Sequence, residues 1–447
     1  MNVAPARMSA LAVLARVRKD GAFSGAALAS ELRTAALSAG DVALATRLVY
    51  GVLGTEGVLD EVVDRYLRGG AEPRVRDVLR LAAYELLYGR APAYAVVDQA
   101  VVAARRVRPQ AAGLVNAVTR RVAEAAPGFP WGDPADDRDA LARVSACPRW
   151  IVDEYLGSLG AEDGREALLA CADPAPSYVR LDPFTAPVDE TRAALEVASP
   201  VPVPPDPDCY RLERPSALYS GTSDVGWFSM DAAAQMAPAV CAPGAETCVL
   251  DAGAGRGNKT LCLQSLAVRS GGAAAITALE LHPGKAARLR ERLDRSGVPG
   301  VTVEVGDVLD AARHCGERTF DVALLDAPCT GLGTLRRYPE KRWRIEQSDV
   351  GRMGELQGRL LAGIAETVRS GGRVVYSTCS VARAENEHVV RDFLAGPFGR
   401  RFVLEPLDEL VPEAWSMFLT GDGTFQSRPT IEGPDGHFVA MLRCDRA

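Results

Sequence analysis

"DAGAGRGNKT", Asp251 to Thr260, follows the apolar run "TCVLD" and leads into residues with helical spacing, so a glycine-rich turn joins a strand to a helix. Three classes of ligand use such turns, and spacing separates them. A nucleotide P-loop needs glycine immediately before Lys-Ser/Thr, whereas here Asn258 precedes Lys259 and Thr260; a dinucleotide G-x-G-x-x-G counted from Gly253 needs glycine at that same position. Both patterns fail at Asn258. What remains is an acid followed by alternating glycines, Gly253, Gly255 and Gly257. Without Cβ atoms the backbone can pass close to a ligand, and the helix N-terminus offers donors to a carboxylate.

Working outward, strand-like runs recur at "AAITALEL", "VTVEVGD", "FDVALLD" and "GRVVYST", with helical segments between them. That alternation predicts an α/β domain over residues 226–447, a parallel sheet covered on both faces. Residues 1–127 read differently: seven segments, from "ALAVLARVRK" to "AAGLVNAVTRRVAEA", carry apolar residues three and four apart and predict an all-α domain. "AAPGFPWGDPADDRD" is rich in Pro, Gly and Asp and predicts a linker over 128–144. Residues 145–225, with helical "PRWIVDEYLGSLG" and a strand at "SYVRLDP", predict a small α+β subdomain.

The 447 residues are about three domains' worth, and a 47% hydrophobic, 24% charged composition is that of ordinary globular chains. No run has the length and polarity of a signal peptide or membrane span, so a cytoplasmic protein with no membrane partner is expected; a monomer is expected as well. Ten cysteines and four histidines lack any metal-ligand spacing, which predicts free thiols and no metal site. A net charge of −7 gives no global attraction for a polyanion, so nucleic acid would have to be held by local basic patches. "AARRVRP" offers Arg105, Arg106 and Arg108. "LRRYPEKRWR" offers Arg336, Arg337, Lys341 and Trp343, where aromatics interleaved with charge suit base stacking.

The glycine turn resembles the first motif of S-adenosylmethionine-dependent methyltransferases, which assigns Gly253, Ala254, Gly255, Arg256, Gly257, Asn258 and Lys259 to the cofactor. Glu280, ending the second strand, is then placed for the ribose hydroxyls, and Asp307, after the third, for the adenine. Two further strand ends bear cysteine: "DAPC" with Asp326 and Cys329, and "YSTCS" with Cys379. Alone, either is a turn containing a thiol. Together, with "GLGTLRR" after the first, they closely resemble the Nop/Sun family of RNA cytosine-5 methyltransferases. "DVALATRLVYGVL", "VRDVLRLAAYELLY" and "GLVNAVTRRV" resemble the NusB-like RNA-binding domain fused to the bacterial members that modify 16S ribosomal RNA.

This resemblance implies an RNA substrate, most specifically one cytosine of 16S ribosomal RNA, and RNA contacts from residues 145–225 as well. It implies Cys379 as the nucleophile that adds to C6, Cys329 as the residue that releases the product, and Asp326 as a partner of the pyrimidine edge or the cofactor amine. Two other readings share these residues: a transfer-RNA methyltransferase, and a non-catalytic ribosome assembly factor. The family's first motif usually reads like "CAAPGGKT"; here Arg256 and Asn258 stand where proline and glycine would, which puts cofactor affinity in question.

Overall fold

The computed structural model describes residues 4–22, 24–205, 208–219, 226–316 and 319–445. The chain forms two compact units, one of Met1–Asp153 with Leu335–Ile345, the other of Glu154–Thr334 with Glu346–Ala447. No single helix among the described residues is long and apolar enough to cross a membrane.

In the first unit the seven expected segments fold as helices Pro5–Asp20, Ser24–Thr34, Ala39–Gly54, Glu56–Asp64, Pro73–Leu87, Ala93–Val107 and Ala112–Ala125. Proline opens two of them, where its missing N–H costs nothing, and the Ser38 hydroxyl accepts the Asp41 N–H to cap a third. Their apolar stripes meet in one core that includes Val13, Leu48, Leu59, Val78 and Val115. The expected linker is instead part of this unit. Tyr88, Phe129 and Trp131 stack edge to face at 5.2 Å steps, the Trp131 indole donates to the Ala125 carbonyl at 3.0 Å, and Asp137 caps a further helix, Arg138–Ser145. Proline and glycine did break the preceding helix, but the two aromatics carry enough apolar surface to pack the segment down.

The second unit holds two sheets. The small one comprises β1 (Ser177–Leu181), β2 (Pro200–Pro202), β3 (Cys209–Leu212) and β4 (Trp227–Ser229), in the order β2-β3-β1-β4, all antiparallel. The domain boundary expected at 225/226 abuts residues 220–225, outside the described residues, and β4 beyond it completes the small sheet. Fully buried Arg180 of β1 donates to Gln235 and to Ser265, tying this sheet to a helix of the larger layer.

The large sheet comprises β5 (Cys248–Ala252), β6 (Ala275–Glu280), β7 (Val301–Val305), β8 (Phe320–Asp326), β9 (Val368–Thr378), β10 (Phe402–Glu405), β11 (Phe425–Gln426) and β12 (Phe438–Cys444), in the order β10-β12-β9-β8-β5-β6-β7, with β11 paired to β12. The five strands read from the sequence run parallel. The sheet as a whole is mixed, because β10, β11 and β12 are antiparallel additions. Cores lie on both faces, one with Leu250, Leu325, Val374 and Phe438, the other with Val249, Ile276, Leu324 and Val375, as unbroken apolar strands of a covered sheet require.

Candidate active site

Strand order reverses between β5 and β8: from β5 the chain winds outward through β6 and β7, then returns to β8 on the other side. Open α/β sheets bind ligands in the crevice outside such a switch point, and here the glycine turn follows β5 while "DAPC" follows β8. Gly253, Gly255 and Gly257 have φ of 82°, 60° and 82°, left-handed values that side chains resist. Close approach adds to this, since a Cβ on Gly257 would lie 2.2 Å from Leu289 Cδ1.

Glu280 holds the turn in place. One carboxylate oxygen accepts the Gly255 N–H and the other the His282 N–H, both at 2.9 Å. The two departures from the usual motif have their own support: the Arg292 guanidinium donates to the Arg256 carbonyl at 2.9 Å and to Asn258 Oδ1 at 2.7 Å, over the Phe228 ring. Asn258 Nδ2 in turn donates to the Ser229 carbonyl. Asn258 thus replaces glycine's freedom with a two-way tether.

Carboxylates rim the turn at four strand ends. Asp251 is fully buried and accepts from the Thr260 hydroxyl at 2.6 Å, while its Oδ1 has no hydrogen-bond partner among the described residues; burial pushes its pKa up to about 6. Asp307 accepts the Leu309 N–H and caps the next turn. Asp326 pairs with Lys259 at 2.6 Å. This donor and acceptor set fits S-adenosylmethionine, whose ribose hydroxyls and ammonium need acceptors, whose sulfonium favours acidic surroundings, and whose carboxylate suits the helix start at Asn258.

The two cysteines meet. Cys329 Sγ lies 3.2 Å from Cys379 Sγ, both are half-buried, and neither forms a disulfide. Their loops are registered by the pairing of Asp326 with Ser377 and by the Ala327 N–H donated to the Ser377 carbonyl. The hydrogen bond with Cys379, burial, and the negative charge of Cys379 and Glu385 all push the Cys329 thiol up. Burial would lower the Lys259 ammonium, but Asp326, Cys379 and Asp251 together outweigh it and hold it charged, and that charge in turn favours the Cys379 thiolate. Sequence reading missed Glu385, which is wholly buried beneath both loops. It sits in the polar stretch "VARAENEH", where an acid looks like any solvated one.

The basic segment after "DAPC" is largely turned to packing. Arg336 is buried. Trp343 is half-buried, its indole donates to the Gly54 carbonyl at 2.9 Å, and its ring lies where a Cβ on Gly57 would stand. Trp343 is therefore a packing residue in the helical unit and not an exposed stacking platform. Arg337 and Lys341 remain partly exposed, and the Lys341 ammonium lies over the exposed Tyr338 ring at 5.0 Å.

A mixed sheet with a glycine turn and two thiols at its switch point defines an S-adenosylmethionine-dependent RNA methyltransferase. The family model described as 16S rRNA methyltransferase RsmB/F matches residues 238–443, and the NusB family model matches residues 4–124. Ribosomal RNA small subunit methyltransferase B of Escherichia coli (strain SE11) is 30% identical over 417 residues, 90% of each chain. "Probable ribosomal RNA small subunit methyltransferase B" of Bacillus subtilis (strain 168) is 29% identical over 99% of each chain. The crystal structure of PH0851 superposes with a TM-score of 0.79 over 99% of each chain at 24% identity, a likeness of fold. The chain belongs to the RsmB/F methyltransferase family, with a NusB domain at its N-terminus.

Proposed function

We propose that this protein methylates C5 of one cytosine in 16S ribosomal RNA through a covalent adduct on Cys379. The observation that carries the reading is the pair of thiols 3.2 Å apart beside the Lys259–Asp326 pair. C5 of cytosine is a weak nucleophile. Addition of the Cys379 thiolate to C6 pushes an electron pair toward C5 and makes it reactive, with Lys259 favouring the thiolate and Asp326 placed to hydrogen-bond the base near N3. S-adenosylmethionine, held by the glycine turn and the acidic rim, supplies the methyl group. Loss of the C5 proton then expels the Cys379 thiolate and restores the ring, and Cys329, adjacent to the sulfur that leaves, serves this release. The base must be unpaired or flipped for C6 to reach Cys379.

The helical unit, the small sheet subdomain and the partly exposed Arg337 and Lys341 would contribute backbone contacts to the RNA. Two working thiols require a reducing compartment, which fits the cytoplasm. Incubating the protein with 16S ribosomal RNA and S-adenosylmethionine, followed by bisulfite sequencing, should yield one protected cytosine. Protection confined to transfer RNA, or none in any RNA, would overturn the assignment.

A further inference from the structure

Each reactive cysteine is followed by a hydroxyl residue, Thr330 after Cys329 and Ser380 after Cys379, and both hydroxyls donate to the same carboxylate oxygen, Glu385 Oε2, at 2.5 Å. The other oxygen accepts the Thr330 N–H at 2.8 Å and Gln357 Nε2 at 3.3 Å. Gln357 also donates to the Pro328 carbonyl, and the Ala382 N–H donates to Ser380 Oγ, which leaves the Ser380 proton for Glu385. All four partners are donors, the set that an ionised carboxylate requires when it is wholly buried, and they work against the burial that pushes its pKa up. A structural carboxylate would be dispensable here if it only filled space. This one is joined to both thiol loops and, among the described residues, to no cation.

We propose that Glu385 is a positioning residue for the two-thiol chemistry, fastening the Cys329 and Cys379 loops to one buried carboxylate so that the sulfurs stay in register. Its charge has a second effect, which rests on the covalent reading above. Cys379 and Glu385 both push the Cys329 thiol up, and Lys259 interacts electrostatically with Cys379. The Glu385 charge helps keep the proton on Cys329, while Lys259 favours the thiolate on Cys379. The proton on the release residue is thereby held in part by a buried carboxylate that touches neither RNA nor cofactor.

The test needs no RNA, so its failure is separable from failure of the methylation reading. In the full chain carrying Cys379→Ala, the pH dependence of Cys329 alkylation by iodoacetamide is followed by peptide mass spectrometry, with and without Glu385→Gln. The variant should move the midpoint down by about one pH unit, and an unmoved midpoint overturns the charge role. Register is read in the chain with both cysteines, as the rate at which diamide, itself reduced to the hydrazide, takes the two thiol hydrogens and joins Cys329 to Cys379. Thr330→Val with Ser380→Ala should slow this at least several-fold, and an unchanged rate overturns the positioning role. Should Glu385→Gln fail to fold, the hydroxyl variants alone decide.

Discussion

The carboxyl edge of the large sheet and the segment Leu335–Ile345 start from similar raw material, reactive or charged side chains in short loops that sequence reading marks as functional. At the sheet edge the groups converge on one another: Cys329 on Cys379, Lys259 on Asp326, the glycine turn on Glu280. In the segment they converge on backbone. Arg342 Nη1 donates to the carbonyls of Gly54, Ser145 and Ala146 at 3.3–3.4 Å, which lie at the C-terminal ends of helices Ala39–Gly54 and Arg138–Ser145. A helix leaves its last four carbonyls without internal partners, and a buried guanidinium supplies several donors at once. Short side chains at strand ends go where the backbone points them, whereas long ones are drawn to whatever nearby groups lack a partner.

The sharpest way to break this contrast is at the thiols. Cys379→Ala should abolish methylation and leave no covalent species, while Cys329→Ala should permit attack and transfer but not release. A denaturing gel after incubation with substrate RNA and S-adenosylmethionine should then show a slow-migrating complex for Cys329→Ala alone. Retention of activity by both single variants would reduce the sheet edge to packing, like the segment.

The next largest effects should differ in sign between the two regions. Asp251 has a folded pKa of about 6 against 3.8 for the free side chain, so the folded chain holds the proton more tightly and loses stability as pH rises from about 4 to 6. Above pH 6 the cost of carrying Asp251 ionised in the fold reaches about 3 kcal/mol. Asp251→Asn should therefore gain stability relative to the parent at pH 7, with the gain vanishing below about pH 4, as followed by thermal unfolding across that range. Arg342→Ala should lose about 2 kcal/mol by stranding buried carbonyls, with little change in cofactor affinity. If denaturant unfolding shows Arg342→Ala unaffected while RNA binding collapses, the segment is an RNA surface after all.

Legibility in the sequence divides along the same line. The five parallel strands were readable because each is an apolar run ending in a polar or glycine signal. The candidate site was legible because Glu280, Asp307, Asp326, Cys329 and Cys379 occupy or follow those ends. Antiparallel β10 to β12 were not read as strands, since their pairing with β9 depends on contacts far apart in sequence. Trp343 looked exposed because charge surrounds it, and only the Gly54 carbonyl and the space over Gly57 reveal its seat. Glu385 carried no signal at all, because its partners follow cysteines that lie on two separate strand ends.

That Leu335–Ile345 packs with Met1–Asp153 has a consequence for synthesis on the ribosome. The helical bundle emerges first, yet the guanidinium that caps two of its helices and the indole that fills its groove arrive only after Glu154–Thr334 has been made, roughly 10–40 s later at ordinary elongation rates. Until then the nascent bundle has an unfilled cleft at Gly54 and Gly57. The bundle is thus not a detachable cassette: grafting residues 1–153 onto another enzyme would leave behind the eleven residues that complete it.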